Sequence, residues 1–210
     1  MSSSARLNPA QVAVVIPCYQ TKGLVPNVVA EVLRIGNELG NICQLRVLVV
    51  NDACPQQSWR EIADHPQVQV LHHSHNRGVG AATLTGLQAA LELKCQAMVK
   101  LDADGQHPPM YLLDLIPHLL GQPAGELALV KGSRYRWPSK HNSIPWARQL
   151  GSILLEPMAR AALAYRNLTD TSNGYLGLNQ LSCRYLLAAG WGPSLQRRYL
   201  FESSVLVRSA

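Results

Sequence analysis

The sequence lacks several features that would have settled its class at once. Over its 210 residues, no apolar run reaches the ~18–20 residues that a bilayer-spanning helix needs. The opening stretch MSSSARLNPA has no apolar core of the signal-peptide kind, so no signal peptide is expected. The five cysteines, Cys18, Cys43, Cys54, Cys95 and Cys183, are odd in number, scattered, and never spaced as C-x-x-C. That argues against a disulfide framework or a zinc site and fits a reducing compartment. Aromatic residues make up only 6%. With no aromatic-studded basic strand and no groove-reading motif, nucleic acid is not an expected partner. The G-x-G-x-x-G glycines of a dinucleotide site are absent too. No internal repeat or low-complexity linker divides the chain.

What is present suits one compact domain. Hydrophobic residues make up 47%, a globular rather than a disordered composition. The net charge of +6 is unevenly placed: residues 1–130 carry 8 Lys+Arg against 10 Asp+Glu, residues 131–210 carry 11 against 3. The C-terminal third is therefore either a solvated basic face or the side that meets an anion, a phosphate or an acidic bilayer surface. A continuous apolar run predicts a buried strand at Val12–Ile16, and mostly apolar segments predict further strands at Leu45–Val50, Val68–Leu71, Ala97–Leu101 and Leu127–Val130. Helical spacing predicts helices from Val25 to near Gly40, over Gly78–Leu93, and over Met110–Leu120 behind a Pro-Pro start. This order predicts an α/β fold, a mostly parallel sheet with helices on both faces. After Lys131 the alternation weakens. An apolar stripe of Trp146, Leu150, Ile153, Leu154, Met158 and Ala161, edged by Arg148, Arg160 and Arg166, reads as a helix kinked at Pro157, covering the sheet or lying on a bilayer. The chain stops at Arg208-Ser209-Ala210 straight after an apolar run, and the native protein is expected to continue further.

Open parallel sheets bind ligands at the carboxyl ends of their strands. Three polar clusters fall at such ends: Pro17-Cys18-Tyr19-Gln20, Asn51-Asp52, and Asp102-Ala103-Asp104. Two carboxylates two residues apart repel one another unless a cation joins them. A hard ion such as Mg²⁺ takes oxygen ligands and leaves room for phosphate oxygens, so Asp102 and Asp104 read as a metal–diphosphate site. His75-Asn76-Arg77-Gly78 precedes small residues at Ala82, Gly86 and Ala90. That stripe predicts close packing of helix on sheet, with Arg77 and backbone N–H groups where anions are favoured. Lys131 and Arg134, directly after the fifth strand, are expected at the same rim, and a planar guanidinium suits a phosphate. His72, His73 and His75 match no metal spacing. His107 is read as a loop-shaping residue, because hard ions favour oxygen donors.

Together the segments VVIPCYQ (14–20), VLVVNDACPQ (47–56), HNRGVGAATLTG (75–86), VKLDADGQHPP (99–109), KGSRY (131–135), TDTSNGY (169–175) and FESSVLVR (201–208) resemble family 2 glycosyltransferases of the GT-A fold. The resemblance is nearest to the polyprenyl-phosphate sugar transferases, the dolichol-phosphate-mannose-synthase-like branch. It implies that Pro17 and Tyr19 hold the nucleotide base and that Asp52 meets the base or ribose. It implies that Asp102 faces the ribose and metal, that Asp104 binds the metal, and that Ala103 and Gln106 lie along the sugar and diphosphate. Arg77 and Gly78 complete the nucleotide-sugar set, and Arg134 stands where a phosphate-binding arginine is found. The sequence departs from the usual family pattern at Gln20-Thr21, Ala53-Cys54 and Leu176.

The resemblance implies a Mg²⁺- or Mn²⁺-dependent, inverting sugar transfer from a nucleotide-diphosphate sugar to polyprenyl phosphate, at the cytoplasmic face of a membrane touched peripherally. On this reading residues 1–10 are a flexible lead. Residues 11–210 form one domain, with the nucleotide-sugar half up to residue 130 and an acceptor half over 131–210. The alternatives are transfer to a glycan hydroxyl with Glu202 as base, a nucleotidyltransferase, and a non-catalytic transferase-like binding domain. A Gly-rich loop after strand one would mark the nucleotidyltransferase, and Pro17-Cys18-Tyr19 stands there instead.

Overall fold

The computed structural model describes residues 9–62, 64–123, 125–133, 170, 173–192 and 205. Six strands form one sheet: β1 (Ala10–Cys18), β2 (Cys43–Asn51), β3 (Val68–His72), β4 (Ala97–Lys100), β5 (Leu129–Lys131) and β6 (Leu176–Asn179). Their order is β3-β2-β1-β4-β6-β5. β1 pairs in parallel with β2 and β4, and β2 with β3, whereas β6 runs antiparallel to both β4 and β5. The four described helices are α1 (Val25–Glu38), α2 (Val79–Glu92), α3 (Leu112–Leu120) and α4 (Gln180–Ala188). The expected mostly parallel α/β sheet is therefore present.

Its central strand is buried on both faces, which is why VAVVI reads as an unbroken apolar run. Val12, Val14 and Ile16 pack with α1 and α3, while Ala13 and Val15 pack with α2 and α4. On the second face α2 comes unusually close. A Cβ on Gly86 would lie 2.3 Å from Val15 Cγ1, and Ala82 and Ala90 are fully buried. The small-residue stripe is thus a packing surface.

Two sequence expectations shift. The third helix begins at Leu112, because Pro109–Tyr111 form a separate 3₁₀ turn behind Pro108. The fifth strand begins at Leu129, not Leu127, which is exposed. β6 and α4 lie in the region where periodicity gave no element. Ala10 already belongs to β1. The stripe over 146–166, Arg134 and Glu202 lie outside the described residues.

Candidate nucleotide-sugar site

Three chain segments leave the sheet side by side at the carboxyl ends of β1, β2 and β4. At the end of β1, Pro17 is buried and Tyr19 is 41% exposed. The last β1–β4 register pair is Val15↔Lys100, so Pro17, which alternates in step with Val15, sits where β4 needs no further N–H. Gln20 follows in the left-handed region at φ 55°. Its N–H donates to Cys54 Sγ at 3.2 Å, and the N–H of Gly23 donates to Glu61 at 2.7 Å, so the loop after β2 pins the loop after β1.

At the end of β2, Asp52 is buried and its carboxylate is engaged on both oxygens. One oxygen lies 2.7 Å from His73 Nδ1 and accepts the N–H of Arg77 at 2.9 Å, and the other accepts the N–H of Gly78 at 2.8 Å. His73 Nε2 lies 2.9 Å from Thr85 Oγ1, which ties the loop to α2. Gly78, at φ 95°, starts that helix in a conformation that side chains resist. The anion at this helix N-terminus is therefore Asp52 itself. The Arg77 side chain is exposed beside it.

At the end of β4 the arrangement is different. Asp102 Oδ1 lies 2.6 Å from Nζ of Lys100, whose side chain is 1% exposed against 31% for Asp102. The Asp102 N–H donates to His107 Nδ1 at 2.9 Å, which leaves the His107 proton on Nε2 and gives His107 the loop-shaping part expected of it. The His107 ring meets Tyr175 edge-on at 5.5 Å. Burial pushes the Asp102 pKa up, but the Lys100 ammonium beside it, helped by the charge of Lys131, outweighs it and holds the carboxyl below its ordinary value. His107 is held below its own ordinary value, chiefly by burial. Ala103 packs into the core, so only its backbone faces the rim. Asp104 and Gln106 are exposed, and Asp104 Oδ1 accepts the Gln106 N–H at 2.9 Å across Gly105.

The segment leading into β6 closes the far side. Asn173 takes the Lys131 ammonium on its carbonyl and the Tyr175 N–H on its side chain. Gly174 must be glycine. A Cβ there would lie 2.3 Å from Asp102 Oδ2, 2.6 Å from Lys100 Nζ and 2.8 Å from His107 Cε1. Lys100, His73 and Gly174 were not singled out as site residues from sequence. A lysine ending an apolar strand two residues before an aspartate was the available signal, since a buried ammonium needs an anion.

The sequence model described as Glycosyl transferase family 2 matches residues 13–187. The chain belongs to that family. Among curated relatives, this family 2 member is 33% identical over 176 residues to an undecaprenyl-phosphate mannosyltransferase of Micrococcus luteus, covering 79% of this chain and 65% of the relative. It is 30% identical over 178 residues to a polyprenol monophosphomannose synthase of Mycolicibacterium smegmatis, covering 81% of this chain and 63% of the relative. The family 2 chain thus spans about two thirds of the length of these relatives, and it falls in the dolichol-phosphate-mannose-synthase-like branch. Its fold matches a solved glucosyl-3-phosphoglycerate synthase of Mycobacterium tuberculosis in complex with UDP, with a TM-score of 0.64 at 18% identity over 95% of this chain and 65% of that one. A second structure of that enzyme, with Mn²⁺, UDP and phosphoglyceric acid, matches with a TM-score of 0.62 at 16% identity, over 95% and 64%. The fold is GT-A.

Proposed function

We propose that this chain is an inverting glycosyltransferase that moves a sugar from a nucleotide-diphosphate sugar to polyprenyl phosphate, with residues up to 130 on the donor side. The observation that carries the reading is the end of β4, where one carboxylate of the Asp102/Asp104 pair is fixed by Lys100 and the other stands exposed. Relatives named for undecaprenyl phosphate and polyprenol support a lipid phosphate as acceptor.

The donor set fits Mg²⁺ or Mn²⁺. Among the described residues no group of three or more His, Cys, Asp and Glu could enclose an ion. One exposed carboxylate, Asp104, beside the part-exposed Asp102 leaves room for an ion that takes its other ligands from a diphosphate and water. Asp102 and Asp104 would hold it, and when bound it would offset the charge growing on the leaving diphosphate. The chain's own residues do the rest. Tyr19 offers an exposed ring at the base side, and Asp52 holds the loop that displays Arg77 and Gly78. Gln106, anchored to Asp104, extends the rim towards the sugar. A phosphate monoester is already ionised near neutral pH, so it can attack the anomeric carbon in line with no protein base, and positioning supplies the catalysis. Arg134 would hold that phosphate.

Relatives named for undecaprenyl phosphate and polyprenol support a reaction at the cytoplasmic face of a membrane that the chain touches peripherally. Among the described residues no helix is long and apolar enough to cross a membrane. Titration calorimetry with UDP, GDP and dTDP sugars, with and without Mn²⁺, should show Mn²⁺-dependent binding of at least one donor. No binding of any would favour a scaffold. Glu202→Gln should leave turnover unchanged, whereas loss of the chemical step would move the acceptor to a hydroxyl. Flotation with anionic liposomes should carry the protein upward, and no lipid-dependent shift would remove the membrane from the proposal.

A further inference from the structure

We propose that Lys100 is a resident counter-cation of the donor site, and that it makes divalent-metal binding depend on the nucleoside diphosphate. The inference rests on the metal–diphosphate reading above and assigns Lys100 as a positioning residue acting through Asp102.

Lys100 is the last residue of β4. It is paired with Val15 on one side and Leu176 on the other, so it leaves the sheet on the face that α2 and α4 cover. An ammonium in such a place has to be matched by an anion. Its Nζ lies 2.6 Å from Asp102 Oδ1. The cluster cannot loosen easily. The backbone at Gly174, in the segment leading into β6, presses on Asp102, Lys100 and His107 with no room for even a Cβ, and His107 Nδ1 holds the Asp102 N–H. Asp104, by contrast, makes no salt bridge among the described residues and is exposed.

The electrostatic consequence has a definite sign. A divalent ion approaching Asp102 meets a fixed positive charge against one of its oxygens, and Lys131 adds to the same field. Like charges at that range oppose binding. A nucleoside diphosphate brings enough negative charge to reverse the balance, so ion and nucleotide load together. Lys100 then keeps Asp102 aimed while the site is empty.

A merely structural lysine predicts the opposite response to its removal: a looser site and weaker metal binding. The test is calorimetric titration of Mn²⁺ into the full chain, alone and with UDP, GDP or dTDP present, for the wild type, Lys100→Met and Lys100→Arg. The wild type should bind Mn²⁺ weakly alone and markedly tighter with a diphosphate. Lys100→Met should bind Mn²⁺ alone roughly tenfold tighter than the wild type, because the opposing charge is gone. Lys100→Arg should behave as the wild type. A folded Lys100→Met that binds Mn²⁺ alone no tighter than the wild type overturns the proposal. Should Lys100→Met not fold, Lys100→Gln, which keeps a donor for Asp102, is read the same way. The wild type gives an independent check: Mn²⁺ alone raising the melting temperature as much as Mn²⁺ with a diphosphate would overturn the proposal too. A wild type that binds Mn²⁺ with none of the nucleotides overturns the donor-site reading and this inference together. A nucleotide-dependent wild type with an unchanged Lys100→Met overturns this inference alone.

Discussion

Asp52 and Asp102 stand at the ends of β2 and β4, the two strands that flank β1, and their surroundings are opposite. Asp52, with its side chain 3% exposed, is met by His73 and by the N–H groups of Arg77 and Gly78. Asp102, 31% exposed, is held from within by the Lys100 ammonium among the described residues. A carboxylate leaves water only when donors replace the hydration it loses. Where the chain supplies all of them, the aspartate becomes part of the scaffold and shapes a loop. Where the described residues supply them from one side, as at Asp102, the proposed metal–diphosphate site has an open side to use. Residue type and strand position are alike at the two ends, and the donor count separates them.

The largest effect expected is at the closed end. Asp52→Ala leaves two N–H groups and a buried imidazole without their acceptor, and should cost about 3–5 kcal/mol in urea denaturation, the scale for breaking a buried charged pair. A variant as stable as the wild type that had lost only nucleotide binding would break the comparison and return Asp52 to the ligand. Asp104→Ala is the counterpart at the open end. It should lower kcat by about 10²–10³, roughly 2.7–4 kcal/mol of barrier. Its stability should stay within about 0.5 kcal/mol, as for an exposed side chain. Near-normal turnover in both Asp104→Ala and Asp102→Ala would remove the metal–diphosphate reading.

Gly174→Ala comes next, because it strikes the contact between the segment leading into β6 and the open end. The new methyl would overlap Asp102 Oδ2, Lys100 Nζ and His107 Cε1. Overpacking of this kind costs about 1–3 kcal/mol. It should lower the melting temperature and weaken diphosphate-dependent Mn²⁺ binding together. A drop in the first without the second would mean that the segment leading into β6 supports the fold but not the site.

Much of this architecture was legible in the sequence, and the illegible part has a common cause. Val12–Ile16, apolar throughout, and Leu45–Val50, apolar at all but Arg46, announce buried strands, and Gly86 between Ala82 and Ala90 announces close packing. β6 gives no such signal. It has four residues, it pairs antiparallel with strands far away in sequence, and it carries Gly177, where a Cβ would lie 2.8 Å from Leu115 Cδ2. Its identity as a strand depends on partners that periodicity cannot see. The two ends divide in the same way. The Asp102-Ala103-Asp104 spacing is local and readable. The tie from Asp52 to His73 spans 21 residues, and the histidine cluster matched no motif. Lys100 was read as strand interior, although a lysine in an apolar strand must find an anion close by.

The smallest effect expected is a pH dependence at the closed end. Cys54 follows Asp52, and its sulfur accepts the Gln20 N–H at 3.2 Å and lies 3.3 Å from Ser58 Oγ. Burial pushes this thiol up, but the Ser58 hydroxyl and the N–H groups of Ser58, Gln20 and Gln56 together pull it down to about 7. Burial raises Cys43 and Cys95 to about 11 and Cys183 to about 12, and raises Cys18 as well. Cys54 should therefore be the first of the five to react with iodoacetamide, at a rate rising through a midpoint near pH 7. The linkage sign follows from the ordinary value of 9.0: between about 7 and 9 the unfolded thiol keeps a proton that the folded one has released. Stability should accordingly climb with pH across that window. Cys54→Ser should remove both the early alkylation and the climb. Because the same sulfur holds the N–H of Gln20, alkylation should also weaken nucleotide-sugar binding on the β1 side. Unchanged donor affinity after complete Cys54 modification would separate the closed end from the base-binding rim.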